Sequence, residues 1–508
     1  GRNRAEYQQD SPFIIINDTP QQETNSVNVF CDAEVCPPMT MRKALTIAVA
    51  TLSSTTAPQA QQDDTRLLIT GDAILSNQGF ELLQDMTTRF QARLAGTPGN
   101  AKSMDYLEAR LQELGIRTHR ERFDIPGWRR GTDRVTVMAP AKRSLRAAAL
   151  GYVSAHSPLE ADLVRVESIN FDQLDPAMTT GQIALAAPNL RFSHGDYERL
   201  KDEFDMVGVL LTNRVDGGQL LARTANHQGA PCPLPVYSIT AEDGNWLERL
   251  HTDDTAVTVQ LETSSDCIDM TVENLVATIE GSSGRKIVLG AHFDSWDLGQ
   301  GAMDNGLGIA QLFDTARLLQ RHSPANEHAV EIVFFNAEEW GLWGSRDYVT
   351  RHDLAPVRAM VNLDMVGRPI ALNAMGFDEL LPVLRAFSQS LGSWALRPQI
   401  ASKTWLGSDH HPFILHGVPA ITFNAPIGED QVRYYHDFAD TFDKIDAEML
   451  SRATAIVTLL IHALANDTET ALRHYDNTET AELFRAAGVE ARMRKMDQWP
   501  FVEGPTHP

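Results

Sequence analysis

The chain has 508 residues, 43% of them hydrophobic and 22% charged, the make-up of an ordinary globular protein with room for two or three cores. Its formal net charge of -23 argues against nucleic acid as a partner, because phosphates would be repelled, and favours solubility and the attraction of cations, metals included. No apolar run approaches the roughly 20 residues that a membrane span requires.

Residues 1–40 show no sustained periodicity and read as a non-structural upstream extension. At Met41 begins "MRKALTIAVATLSSTTAPQAQQDD": Arg42 and Lys43 form a basic start, Ala44 to Leu52 a short apolar stretch, and small and polar residues follow as far as Ala60. That is the layout of a secretory signal peptide over 41–60, with Met41 as the true start and the product exported to the periplasm or the medium. Without residues 1–60 the chain stays strongly acidic and keeps Cys232 and Cys267 of its four cysteines. In an oxidising compartment those two have the option of one disulfide. "CDAEVC", which contains Cys31 and Cys36, has no second Cys/His pair close behind it and makes a poor zinc site.

Residues 61–128 open a first folded segment. "GFELLQDMTTRFQARL" and "NAKSMDYLEARLQELG" predict two amphipathic helices joined by "AGTPG", and "IRTHRERFDIPGW" an edge strand. Over 129–264 short β-like runs such as "DRVTVMA", "QIALAA" and "MVGVLLT" alternate with polar loops and two convincing helices, the texture of an inserted β-rich domain. From 265 to 465 strands and helices alternate regularly, with helices expected at 307–320, 340–350, 377–391 and 446–465. Apolar strands alternating with helices of ten or more residues predict an α/β sandwich. The tail, 466–508, is polar and partly helical, with no legible chemistry.

The polar residues on that frame are not scattered. "KIVLGAHFD" ends in His292 and Asp294, "AVEIVFFNAEE" in Glu338 and Glu339, and "VRAMVNLDM" carries Asp364 near its end. "VPAITFNA" leads through a loop to His436 and Asp440, and Asp304 lies in the glycine-rich loop after the first of these strands. In open α/β sheets ligands gather beyond the carboxyl ends of the strands, so one sheet edge receives all these groups. Two histidines with several carboxylates form a zinc-like donor set, whereas all-oxygen ligation would suggest magnesium or calcium. The carboxylates are too many for one tetrahedral zinc. Two metals about 3.5–4 Å apart, sharing one bridging carboxylate, would use them all. Adjacent glutamates in "NAEEW" can divide the work, one on metal and one as general base.

"GAHFDSW…GAMDNGLG", "NAEEWGLWGS", "NLDMVGR", "GSDHHPF" and "YYHDFADT" resemble, in order, the motifs of the M28 family of co-catalytic zinc peptidases. The likeness runs over about residues 77–465 and is greatest to the plasma glutamate carboxypeptidase branch. It implies a three-layer α/β/α sandwich with a mixed, mostly parallel sheet, and a protease-associated-type insertion over 129–264. It implies two Zn2+ per chain: His292 and Asp364 on one, Glu339 and His436 on the other, and Asp304 bridging both. Glu338 becomes the general base, Asp294 a carboxylate orienting His292, and Asp440 a similar support near His436. A cis peptide between Asp304 and Asn305 is implied as well. Tyr435 and Asp437 depart from the histidine and hydroxyl residue that often flank the last ligand, which leaves substrate preference open.

The expected reaction is hydrolysis of dipeptides or short peptides with a free amino terminus. The alternatives are a carboxypeptidase of the glutamate carboxypeptidase type, a glutaminyl cyclase, and a non-catalytic binding relative. The complete ligand set with Glu338 disfavours the last two. A free C-terminal carboxylate would need a cationic partner, for which Arg368, four residues past Asp364, is the one suggestion the motifs offer. "GQGAMD" places Asp304 where a dinucleotide fingerprint has its third glycine, and "GSSG" at 281–284 is not a nucleophile elbow, so Rossmann and serine-hydrolase sites are rejected. His119, His156, His194 and His227 receive no chemistry. His410 and His411 stand open between substrate contact and core, as Trp296, Trp340 and Trp343 do between pocket and packing. The oligomeric state stays open, a homodimer included.

Overall fold

The computed structural model describes residues 57–502 apart from 91, 189, 253–254, 395, 398 and 429–430. The upstream extension, Cys31, Cys36 and all but the last residues of the signal-type segment lie outside the described residues.

A seven-stranded mixed sheet organises the larger part of the chain. Its strands run in the order Arg117–Arg129, Asp266–Ile279, Ala329–Phe335, Lys286–His292, Val357–Asn362, Ala420–Asn424 and Ala371–Asn373. The four strands from Ala329–Phe335 to Ala420–Asn424 are mutually parallel, and antiparallel strands close both edges. The central strands are apolar along their whole length because both faces are covered. Ile287, Leu289 and Ala291 enter one core, while Val288, with Val333, Phe335 and Met360, enters another on the opposite face. The result is an α/β sandwich.

Arg117–Arg129 does form the sheet edge, paired along its length with Asp266–Ile279 from Arg117↔Thr278 to Arg129↔Asp266. The chain leaves this ribbon after Arg129 and returns at Asp266. In between, eight strands build a second sheet with its own core, including Val135, Leu185, Leu210, Tyr237 and Leu261. Two helices of some length accompany it, His194–Asp202 and Ala241–Thr252. Cys232 and Cys267 are both free thiols.

The helix Ala447–Ala465, started by the Asp446 carboxylate accepting from the Met449 N–H at 2.7 Å, is apolar enough to cross a membrane, with mean hydropathy 1.3. It is 72% buried in the protein and packs on the helix Leu307–His322, so it is a core helix. Two expected helices differ in extent. The one expected at 340–350 begins only at Trp343, because Leu342 has φ 62 and the chain must first turn through the "NAEEW" loop. The one expected at 377–391 is split into a 3₁₀ turn at Asp378–Leu380 and a helix Leu381–Ser390, with a proline in its first turn. The tail is structural: Leu483, Phe484 and Met493 complete the main core.

Candidate metal centre

Parallel neighbours in a sheet end at the same side, and here they end in ligand-type side chains. His292 is the last residue of Lys286–His292, Glu338 and Glu339 follow Ala329–Phe335, and Asp364 follows Val357–Asn362. Asp304 sits in the turn Ala302–Gly306, and its peptide bond to Asn305 is cis. His436, with φ 53, comes from the loop after Ala420–Asn424.

These side chains converge. Asp304 Oδ1 lies 3.1 Å from His292 Nε2, and Asp304 Oδ2 lies 3.0 Å from His436 Nε2. Asp364 Oδ1 is 3.5 Å from His292 Nε2, while Glu339 Oε2 is 3.1 Å from His436 Nε2. Two half-sites thus share one carboxylate. One oxygen of each of Asp304 and Glu339 and a nitrogen of His292 all lie within 4.8 Å of one another.

The electrostatics follow from crowding charges in a buried place. Burial works against its charge, yet the two imidazoles hold the Asp304 carboxyl far below its ordinary range. Burial lowers His436, but Glu339 and Asp304 outweigh it and lift the imidazole to about 10. His292 is likewise raised, by Glu338, Asp304 and Asp364 against burial. Glu339 rises to about 7, mainly by burial, and Glu338 rises well above its usual value by burial and by the Asp364 and Glu339 charges.

The supporting contacts differ from the expected pattern. His292 Nδ1 donates to the Asp294 main-chain carbonyl at 3.1 Å, whereas the Asp294 carboxylate stands 3.8 Å from that nitrogen. The carboxylate instead accepts from the backbone N–H groups of Glu338 at 3.0 Å and Glu339 at 3.3 Å. Asp294 therefore orients the histidine through its backbone and the two glutamates through its side chain. Among the described residues Asp440 makes no hydrogen bond or ion pair with the His436 ring. It accepts from the N–H groups of Met303 at 2.7 Å and Asp304 at 3.1 Å, and so fixes the shared carboxylate. His436 Nδ1 donates to the carbonyl of Ala222, in the segment inserted between Arg129 and Asp266, at 2.8 Å.

Several supports have no sequence signature. Arg93, 1% exposed, donates to the carbonyls of Phe293, Gln300 and Gly301 at 2.9, 3.0 and 2.8 Å and ties down the loop leading to Asp304. Asn305 donates to the Leu363 carbonyl and accepts from the Met365 N–H, bracketing Asp364. Ser408 donates to Asp364 Oδ2 at 2.7 Å. Asp409, fully buried and pushed up to about 7 by that burial, lies within electrostatic reach of His292, Asp294 and Asp364. "GSDHHPF" was the available signal for these last two. Its histidines are core groups: His410 contacts the Trp405 carbonyl and Asn362, and burial lowers His410 to about 4 and His411 to about 3. Trp296 lies beside the centre, 5.9 Å from the His436 ring between centroids, while Trp340 is packed against Tyr152.

Residues 274–461 match the model for peptidase family M28. Carboxypeptidase Q of Mus musculus is 23% identical over 418 residues, covering 77% of this chain and 86% of that protein. Aminopeptidase YwaD of Bacillus subtilis (strain 168) is 26% identical over 411 residues, covering 76% and 84%. The crystal structure of a peptidase M28 precursor from Shewanella amazonensis SB2B superimposes with a TM-score of 0.72 at 25% identity, covering 83% of this chain and all of the other. The matched segment contains every residue of the paired half-sites, and this M28-type segment with its peptidase relatives marks the chain as a metallopeptidase.

Proposed function

We propose that the protein is a dinuclear zinc exopeptidase that hydrolyses dipeptides and short peptides with a free amino terminus. The observation that carries this reading is the position of Asp304, whose two oxygens face two different imidazoles at 3.1 and 3.0 Å. The donor set fits the ion: two neutral-capable imidazoles and buried carboxylates suit zinc. Glu339 Oε1 supports it too, since it is sealed from solvent with no hydrogen-bond partner in the protein. His292 and Asp364 would hold one ion, Glu339 and His436 the other, and Asp304 both. When bound, zinc supplies a lowered water pKa and a positive charge beside the developing oxyanion.

The remaining steps belong to the chain. Glu338 takes the proton of the attacking water and returns it to the departing amine. Asp294 holds the Glu338 backbone while this happens. A free ammonium finds carboxylates at the centre, in keeping with the net charge of -23. The second reading, a carboxypeptidase, is favoured by the name of the mouse relative. One peptide series, offered free, N-blocked and C-amidated with zinc present, separates the two: preference for N-blocked members rejects the aminopeptidase/dipeptidase reading. Export belongs to the same proposal, with the segment at 41–60 removed and a mature end near Gln61. Intact residues 1–40 on the active protein, found by mass spectrometry, would overturn that part.

A further inference from the structure

Glu121 is a buried acid that the metal centre does not use. It lies on the edge strand Arg117–Arg129, with its side chain 6% exposed. On the paired strand the same face sends Val276 into the core with Tyr348 and Val349. A carboxylate is expensive in such a place unless it is paired or holds a cation. Two imidazoles meet it: His119 Nε2 stands 3.2 Å from Glu121 Oε1, and His352 Nε2 stands 2.7 Å from the same oxygen. Glu121 Oε2 is sealed from solvent and has no hydrogen-bond partner among the described residues.

Hydrogen bonding by itself would divide two donors between the two oxygens. Here both ring nitrogens crowd one oxygen, and the other is left bare. The main centre has the same pattern. Its imidazole nitrogens and carboxylate oxygens stand 3.1, 3.5, 3.0 and 3.1 Å apart, and its Glu339 Oε1 is likewise sealed and unpartnered. Donors that share one tetrahedral zinc stand about 3.3 Å apart, given bonds of about 2.0–2.1 Å to the ion. Two imidazoles with one carboxylate suit zinc, whereas calcium and magnesium take oxygen donors.

Local structure brings the three residues together. His119 and Glu121, two apart on a strand, project from one face. His352 ends the helix Trp343–Arg351, and its ring stacks on Tyr348, one turn back, at 4.2 Å between centroids. Arg351 beside it donates to the Arg122 carbonyl at 2.7 Å, so the helix end and the edge strand are joined next to the three donors.

We infer that His119, Glu121 and His352 form a further binding site, separate from the metal centre, for a zinc-class divalent cation that pins the end of the helix Trp343–Arg351 to the sheet edge. Three donors leave one coordination position to water. His119 is 53% exposed, while the donors of the main centre are deeply buried, so this site fills after that centre, when zinc is in excess. The ion acts on the joint between helix and strand and takes no part in hydrolysis.

Equilibrium dialysis of the zinc-loaded full chain against excess zinc chloride, with magnesium chloride as the comparison, counts the ions taken up. The wild type is expected to bind one zinc more than His119→Ala and His352→Ala, and magnesium is expected not to displace it. This difference does not depend on how many ions the main centre holds. Glu121→Gln keeps the shape and an acceptor oxygen but loses the charge, and should weaken the extra zinc about 100-fold, the scale of one ligand's share in a structural site. Excess zinc should raise the thermal midpoint of the wild type above that of His119→Ala, with peptide hydrolysis equal in the two. Equal zinc uptake by the wild type, His119→Ala and Glu121→Gln would overturn the site and leave an ordinary hydrogen-bonded cluster. Displacement of the extra zinc by magnesium would overturn its assignment to a zinc-class ion.

Discussion

Ala222 and His436 are bonded to each other twice: the His436 ring donates to the Ala222 carbonyl at 2.8 Å, and the Ala222 N–H donates to the His436 carbonyl at 3.0 Å. A segment inserted between the edge strand Arg117–Arg129 and its neighbour Asp266–Ile279 thereby aims a candidate ligand of the main sheet. Gln219 strengthens the same joint, donating to the carbonyls of Val432 and Tyr435, both at 2.8 Å. Supports behind metal-bound imidazoles commonly contribute 10–100-fold to affinity. Gln219→Ala should release zinc about tenfold more readily in chelator competition, with the main sheet intact by circular dichroism.

Glu338 is the one acid of the group that the shared half-sites do not require. Glu338→Gln should retain metal and fold and lose turnover by about 10²–10⁴-fold. Steady-state kinetics alongside metal analysis will check this. Near-normal turnover would remove Glu338 from the role of base.

Asp304 serves both half-sites, whereas Asp364 serves one. Asp304→Ala should therefore empty both and Asp364→Ala chiefly one, as read by elemental mass spectrometry against a wild type expected to carry two zincs. Fully active wild type with one zinc per chain would reject the dinuclear reading.

Stripping the metal should leave a protein whose stability declines as pH rises. Glu339, Asp409 and Asp440 are each pushed up to about 7, first by burial, while in an unfolded chain they titrate near 4. The folded state then holds more protons between those values, so its stability falls as pH climbs from about 4 to 7. His436, held at about 10, extends the fall upward from about pH 6.5. Asp304 acts in the opposite sense below about pH 4, because its carboxyl is depressed, and the buried His410 and His411, lowered to about 4 and about 3, oppose the fall up to about pH 6.5. Thermal melts of chelated protein should show a lower midpoint at pH 8 than at pH 5, and added zinc should reduce the difference. A higher midpoint at pH 8 in chelated protein would contradict these assignments.

Arg317 is buried between two acids, 2.5 Å from Asp314 and 2.8 Å from Asp72. Arg317→Ala would leave Asp314 without its cation in the core. Breaking a buried pair in this way costs about 3–5 kcal/mol. Urea denaturation should show the loss, and a change under about 1 kcal/mol would show the pair to be dispensable.

Much of the centre is legible in the sequence because it is local to strand ends. Each central strand is an apolar run that stops in ligand-type residues, and parallel neighbours must stop on the same side, so His292, Glu338, Glu339 and Asp364 could be placed together from text alone. The α/β alternation and the boundary at Asp446 are equally local, being set by burial period and capping. The tertiary structure alone decided which groups hold those ligands. Ala222 lies 214 positions from His436 and Arg93 200 from Phe293, and carbonyl acceptors leave no mark in a sequence. Asp294 shows the same limit at short range, since its residue type announces a support but not that its backbone meets the histidine and its carboxylate the glutamates. Residue type specifies what a group can bind; the path of the chain through space decides which partner comes within 3 Å.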